Sequence, residues 1–422
     1  MAEAPPNPST HDPRKGTMPQ APSAPAESRQ GRAPAGQLRR VLFLIPCGLS
    51  MLMGLDAALA LLDLPAPLSG ERFTSGHGML MVIGFVGALV SLERSVSIKR
   101  WWAYAAPVAM ALGSLLTLVA PLPVRAGRAV MVAGCLAMCA NYVVLWRRNR
   151  EPLVAVQIGG GISALCATIV WLGGVAIPSF IALLISFLAL TVIAERLDLS
   201  RIGQLAWTPR RRRLHEDALV LLAVLAVLAG AATVTWPAVA LPCYGLVLIA
   251  LSVQSASGDV ARRGITVPGP NRFMSVMILA GYGWLVVTGL MLLRPALSGL
   301  RYDATLHAVF LGFIMSMVAA HASTILPGLL GIRMRFVSGF WGVGLVLHLS
   351  LVVRIAADLA DSQSWRQVGG LGNIAAMLGL VAVAIWSATT KDAAEAEQRP
   401  PRPAAQDGPG IPLTTTSPRT NP

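Results

Sequence analysis

Long apolar segments separated by short polar stretches make up most of the chain. A helix needs about 20 apolar residues to cross a bilayer, and twelve segments approach that length. They cover residues 41–63, 76–97, 102–120, 128–146, 153–175, 178–195, 217–236, 238–256, 273–293, 304–326, 336–357 and 368–388. Only Trp236 and Pro237 separate the seventh from the eighth. The pattern predicts an all-α polytopic membrane protein of twelve transmembrane helices, with no internal repeat of fixed period.

The two ends of the chain differ from this core. Residues 1–38 are rich in Pro, Ala, Ser and Arg without apolar periodicity, and residues 391–422 have the same character. Such segments cannot bury enough apolar surface to fold. We therefore expect two disordered tails around one transmembrane domain, residues 39–390. No apolar core of a signal peptide precedes Val41, so the first segment is expected to act as an uncleaved anchor.

Composition and charge support a lipid environment. Hydrophobic residues make up 55% of the chain and charged residues 13%, against roughly 25% charged in soluble domains. The net charge of +14 could suit nucleic acid, but the basic residues lie between the apolar segments, where they set orientation. We expect the lipid bilayer, and no nucleic acid, as the partner.

Basic residues are distributed unequally between the two sides. With the N-terminus inside, the inner side holds nineteen Lys and Arg residues and the outer side seven, which are Arg72, Arg125, Arg128, Arg294, Arg301, Arg354 and Arg366. Basic loops stay in the cytoplasm. We therefore expect a bacterial inner-membrane protein with both termini cytoplasmic, whose even-numbered segments run inward.

Two histidines occupy matching places in this topology. His77, in HGMLMVIGF, begins the second segment, and His307, in LHAVFLGF, begins the tenth. Both lie near the expected outer face, where a helix N-terminus disfavours imidazolium and leaves the neutral form that binds metals. Two such histidines on facing helices could hold a haem iron. Alternatively, each is an interfacial histidine hydrogen-bonded to backbone.

A glycine–phenylalanine pair follows each of these histidines, at Gly84 and at Gly312. Either glycine could let a flat macrocycle approach the helix, or could serve helix packing. His321 lies about 21 Å deeper than His307, so it belongs near the inner face and to another site. His348, near mid-membrane, could be a ligand of a second metal, a hydrogen-bond partner or a packed core histidine.

Other polar residues in or near the apolar segments are candidates for supporting roles. Arg354, Arg72 and Arg301 near the outer face could pair with haem propionates, or could reach the lipid headgroups. Asp56 lies inside the first segment. Because a carboxylate within an apolar membrane segment is energetically costly, Asp56 is a functional candidate. Alternatively, it makes a structural hydrogen bond.

Sulfur ligands and charged pairs complete the candidates. Cys135 and Cys139 share a helix face and could bind copper, or could be apolar filler. Glu93-Arg94 and Glu195-Arg196 close the second and sixth segments, where we expect local ion pairs or loop anchors.

Twelve segments with both ends inside, and a histidine near the outer face on the second and the tenth, resemble subunit I of haem-copper oxidases. That resemblance implies a low-spin haem held by His77 and His307, with Arg354 near its propionates. The family's second histidine, two residues before the tenth-helix ligand, is Thr305 here, and its copper-binding histidines on the sixth and seventh segments are missing. The chain therefore looks more like the divergent NnrS-type proteins of the nitric-oxide response.

These observations predict a protein with b-type haem, and copper as a possible second metal, that lacks the oxygen-reducing centre. Its expected role is electron transfer to or from a redox partner, or the handling of a diatomic gas such as nitric oxide. A secondary transporter also suits twelve segments, although Gly159-Gly160-Gly161 has no matching broken helix. A non-catalytic assembly factor is a third alternative.

The unequal distribution of basic residues gives a testable topology. Reporter fusions after Arg150, after Arg213 and at both termini should report the cytoplasm, because the expected inner loops hold most Lys and Arg residues. Alkaline phosphatase and fluorescent-protein fusions measure this directly. A periplasmic signal after Arg213 would invert the expected depth of every histidine.

Overall fold

A computed structural model describes residues 35–68, 70–294, 299–322 and 334–390 of the chain. Every regular element in these ranges is a helix. The expected tails before residue 35 and after residue 390 lie outside the described residues. The first helix begins at Ala35, a few residues inside the segment expected to be tail.

Each of the twelve predicted apolar segments coincides with a helix. They are α1 Ala35–Leu61, α2 Glu71–Ile98, α3 Trp101–Leu116, α4 Val124–Asn149, α5 Pro152–Leu172, α6 Ile177–Leu199, α7 Pro209–Ala232, α8 Pro237–Gly258, α9 Pro270–Leu292, α10 Gly299–Ala322, α11 Gly339–Leu359 and α12 Gln363–Thr389. Within the described ranges, eleven are long and apolar enough to cross a membrane, and α3 is a shorter apolar helix.

Proline fixes where several helices begin. Pro152, Pro209, Pro237 and Pro270 each stand at the first helical position, where the missing N–H costs no hydrogen bond. Before Pro237, Trp236 leaves helical geometry at φ −128° and ψ 59°. This break separates α7 from α8, the division that hydropathy alone defined least well.

Three helices, α2, α6 and α10, form the centre of the bundle. Along the chain they are four helices apart. The buried fraction of the most apolar window is 67% in α2, 78% in α6 and 78% in α10, against at most 50% in the other long helices. Helix α6 contacts both α2 and α10. The remaining helices therefore surround a core of α2, α6 and α10.

The central helices share a sequence pattern that has no fixed period along the chain. In each, a small residue followed by Phe comes nine residues before a titratable side chain: Gly84 before Glu93, Ser186 before Glu195, and Gly312 before His321. A valine lies six residues after the small residue in all three, at 90, 192 and 318. The repeat is visible only when helices four apart are compared.

Helices α2 and α10 are both interrupted by π-helical turns. The π segment covers Leu80–Gly87 in α2 and Ala308–Met315 in α10. It starts three residues after His77 and directly after His307. Short π segments of this kind are frequent at functional sites, and here they mark the two helices that carry the candidate ligands.

Gly84 and Gly312 serve helix packing. A Cβ atom at Gly84 would clash with Ser114 of α3, and one at Gly312 would clash with the indole of Trp284 on α9. Of the two roles open to these glycines, the described contacts support close approach of a neighbouring side chain.

Substitution of Gly312 tests this packing. Gly312→Ala should lower the stability by about 1–3 kcal/mol, because the new methyl group overlaps Trp284 in a filled core. Gly283→Ala on the neighbouring helix is the matched control, since a Cβ atom there meets nothing within 4 Å. Thermal unfolding in detergent measures both, and equal unfolding temperatures would contradict the packing role.

Candidate functional site

Polar side chains gather at both ends of the three central helices. His77 and His307 mark one end, the expected outer one, and Glu93, Glu195 and His321 mark the other. On α2, Glu93 lies sixteen positions after His77, which corresponds to about 24 Å along the helix. The structure therefore contains two separate polar sites on the same helices.

A backbone hydrogen bond orients His77. Its Nδ1 lies 2.8 Å from the carbonyl oxygen of Gly54 on α1. Because a carbonyl only accepts, Nδ1 carries the proton and Nε2 keeps its lone pair. Gly54 permits this approach, since a Cβ atom there would overlap the side chain of Met81. Nε2 is therefore the atom that His77 can offer to a metal.

His307 is oriented in the same way and is supported by an ion pair. Its Nδ1 lies 2.8 Å from the carbonyl oxygen of Asp303, one turn earlier, and 3.4 Å from Oδ1 of that residue. The other carboxylate oxygen of Asp303 accepts from Arg354 Nη2 at 2.7 Å. A chain of contacts from α11 through Asp303 thus fixes the ring, as second-shell partners do at metal sites.

The structure brings the two histidines together. His307 lies within range of electrostatic interaction with His77, and His77 in turn with Asp303 and Arg354. Both rings are half-buried, and in the part of the chain that the structure describes neither Nε2 has a hydrogen-bond partner. Two oriented imidazoles with available lone pairs therefore lie at the same end of α2 and α10.

The three candidate arginines differ in their surroundings. Arg354 is buried and forms an ion pair with Asp303. Its Nη1 packs closely against Gly370, since a Cβ atom at that glycine would lie only 2.7 Å from Nη1. Arg72 donates to the carbonyl oxygens of Val119 and Leu122 at 3.0 Å, which anchors a loop. Arg301 is exposed. Only Arg354 is part of the histidine site.

His348 is a hydrogen-bond partner. Trp284 Nε1 donates to its Nδ1 at 3.0 Å, so the proton of a neutral ring must be on Nε2. The same indole covers Gly312. Of the three roles open to His348, this contact supports the hydrogen-bonding one.

His215 lies in α7, two residues before the predicted seventh segment begins. The helix begins at Pro209, and the buried ring accepts from Gln254 Nε2 at 2.8 Å. It also contacts Gly258, next to Asp259. The statement that the seventh segment lacks histidine is therefore wrong, but this histidine is at the opposite end of the bundle from His77.

The second polar site is built from ion pairs between helices. Nη2 of Arg94 on α2 contacts Glu195 of α6 and lies 3.3 Å from Oε1 of Glu93. Two carboxyl groups thus share one guanidinium. Pairs of this kind can hold one proton between them.

The buried ion pair of Arg196 and Asp259 links α6 to the end of α8. Arg196 donates from Nε at 2.9 Å and from Nη2 at 2.7 Å. Asp259 also accepts from Ser200, Tyr282 and the backbone of Ala261 at 3.2, 3.1 and 2.8 Å. Both charges are neutralised and fully hydrogen-bonded. The local pair expected for Glu93 and Arg94 is present, whereas Glu195 and Arg196 each pair with a residue outside α6.

A cavity of about 410 Å³ begins between the two polar sites. Its walls include Phe85 and Met315, each eight residues beyond the histidine of its helix, and it ends at Glu93, Glu195 and His321. We call it the central cavity. His77 and His307 do not line it.

Comparison with known proteins places the chain in a family. The chain belongs to the family described as Domain of unknown function (DUF8744). The match covers residues 40–389, which include all twelve helices apart from the first five residues of α1. No curated protein matches the chain.

Sequence reasoning missed two residues that the structure assigns to the sites in this member of the family. Asp303 was placed just outside the tenth segment, and its position one turn before His307 was the available signal. Asp259 was assigned to a loop, and nothing in the sequence pointed to Arg196 as its partner.

Other candidates lie apart from both sites. Asp56 accepts from the backbone N–H of Leu68 at 3.2 Å, the structural role considered for it. Cys135 and Cys139 are free thiols in α4. Among the described residues, no group of three or more His, Cys, Asp or Glu side chains is arranged to hold a metal. Two histidines that hold a haem iron would not form such a group, because they are only two residues.

Loss of a buried partner tests the ion pair between α6 and α8. Asp259→Asn should destabilise the protein by about 3–5 kcal/mol, because Arg196 would keep an uncompensated buried charge. Asp198→Asn is the control: its side chain, 2.9 Å from Arg201, is 52% exposed, and such pairs contribute less than about 1 kcal/mol. Unfolding in detergent should separate the two variants, and similar stability would refute the assigned role.

Proposed function

We propose that the protein is a haem-binding integral membrane protein that transfers electrons, with His77 and His307 as the axial ligands. The observation that carries the proposal is the matched orientation of the two rings. Each donates from Nδ1 to a backbone carbonyl at 2.8 Å, which leaves the lone pair of Nε2 available to a metal. This is how metal-ligating histidines are held.

The surroundings of His77 and His307 are compatible with a haem that has both histidines as ligands. Both rings are half-buried, and the π segments adjoin both ligands. Arg354 is engaged by Asp303, so it would meet a propionate only by sharing its guanidinium. Arg366 of α12, which interacts electrostatically with Asp303, is a second cation near the site.

A bound haem would supply one-electron exchange. Two histidine ligands would fill both axial positions, so a diatomic gas would have to displace one of them. The arrangement therefore favours electron transfer over direct handling of nitric oxide. Asp303 would hold the His307 ring through its ion pair with Arg354, keeping Nε2 directed at the iron.

The relation to haem-copper oxidase subunit I and to NnrS-type proteins is part of this proposal. It is supported by the histidines on the second and tenth helices. We further propose that the protein lies in a bacterial inner membrane with both termini cytoplasmic. The histidine site would then be near the periplasmic face, within reach of a redox partner there.

A secondary transporter is the second candidate, and the central cavity is the observation that favours it. Its charged end resembles a substrate site within a bundle. The two candidates differ in what the purified protein should contain.

An absorption spectrum tests the proposed haem. The protein should carry b-type haem, and His77→Ala or His307→Ala should remove it or change its spectrum, because each deletes one axial ligand. His215→Ala should leave the spectrum unchanged, since that ring is at the other end of the bundle. The purified protein should not reduce oxygen, because no histidine adjoins the site from α6 or α7.

Three outcomes separate the alternatives. Haem lost in both variants and kept in His215→Ala supports the proposal. Haem that survives both substitutions would show that the ligands are wrong, with His321 and His348 next. A haem-free protein that moves a solute across vesicles would support the transporter.

A further inference from the structure

The central cavity has the wall chemistry of a binding site for an amphipathic molecule. Its volume of about 410 Å³ is within the roughly 300–1,000 Å³ of small-molecule sites. Apolar side chains of α1, α2, α6, α10 and α12 line it along its length, and its titratable groups, Glu93, Glu195, Arg196 and His321, lie at one end. A matching ligand has an apolar body and a single polar head.

The polar end is built from equivalent positions of the three central helices. The repeated valines at 90, 192 and 318 all line the cavity, and the repeated titratable residues Glu93, Glu195 and His321 lie one turn further. All three helices therefore contribute to the same two layers. A space enclosed in this way is part of the core architecture, unlike a crevice between peripheral loops.

Charge at the polar end favours a neutral head. Arg196 is neutralised by Asp259, and Arg94 is shared by two carboxyl groups. No cation is left uncompensated among these residues, so a carboxylate or phosphate head would find no positive charge to pair with. The Glu93 side chain is 26% exposed. When protonated, its carboxyl group can donate a hydrogen bond to a neutral carbonyl oxygen, and the two carboxyl groups that share Arg94 can hold that proton between them.

The cavity also reaches the bundle surface between α1 and α12. A Cβ atom at Gly48 on α1 would meet nothing within 4 Å. Across the opening, Ile385 on α12 lines the cavity while 60% of it is exposed on the bundle surface. A ligand can therefore reach the polar end directly from the bilayer and leave an apolar tail between these helices.

We propose that the central cavity binds a lipid-soluble quinone, with its neutral oxygen-bearing head against Glu93 and its tail directed past Gly48 into the bilayer. A neutral ring with hydrogen-bonding oxygens and an isoprenoid tail meets each requirement of the site: an apolar body, an uncharged head and access from lipid. The proposal concerns binding alone, and it holds whether or not the histidine site carries haem.

Binding of decylubiquinone to the full chain in lipid nanodiscs tests the proposal, with titration calorimetry as the readout. The quinone should bind saturably. Glu93→Ala should weaken binding about tenfold or more, because it removes a hydrogen bond to an ionisable group. Gly48→Leu should block the opening without a steric clash. Gly283→Leu is its matched control, because Gly283 is exposed, also has open space around it, and does not line the cavity.

The outcomes are distinct. Saturable binding that is lost in Gly48→Leu, weakened in Glu93→Ala and retained in Gly283→Leu supports the site. No quinone binding, or binding equal in all variants, overturns it. Decanoate or tetraphenylphosphonium binding in place of the quinone would also overturn it, in favour of an anionic or cationic ligand. The same titration on His77→Ala separates this test from that of the haem, since quinone binding should persist there.

Discussion

Burying charge in a membrane is costly unless each charge has a partner, and in this bundle the partners are on different helices. Arg94 of α2 contacts Glu195 of α6, Arg196 of α6 is held by Asp259 after α8, and Arg354 of α11 binds Asp303 of α10. These pairs fix the relative positions of helices that otherwise meet through apolar surfaces. Removing one partner leaves the other charged and buried, so the arrangement of both polar sites depends on them.

The helices could be predicted because local sequence determines them. The ion pairs between helices could not be predicted, because they depend on how the helices pack. Long apolar runs located all twelve helices, and counting along them put His77 and His307 at corresponding depths. Partners were harder to find. Glu195 and Arg196 looked like a local pair, but neighbouring residues on a helix do not face each other, and each bonds to a different helix. Asp303 was not considered because the predicted tenth segment begins at residue 304, directly after it.

The central repeat escaped detection for a related reason. Its spacing in sequence varies with the lengths of the intervening helices and loops, so no fixed period appears. The equivalence of Glu93, Glu195 and His321 becomes evident only when three buried helices are superposed by their small-Phe pairs. Sequence patterns that define a site at the axis of a helix bundle are therefore found more readily by comparing the helices with one another than by looking for a fixed residue spacing.

The π-helical turns in α2 and α10 have a consequence for how this site tolerates length changes. A π turn accommodates an extra residue within an α-helix, and one residue corresponds to about 100° of rotation about an α-helix axis. Deleting one residue from Leu80–Gly87 and restoring regular helix would therefore keep His77 and Glu93 on their present faces of α2. A deletion in the regular helix on either side would instead rotate the two residues relative to each other by about 100°, so single-residue deletions should be tolerated best within the π segments.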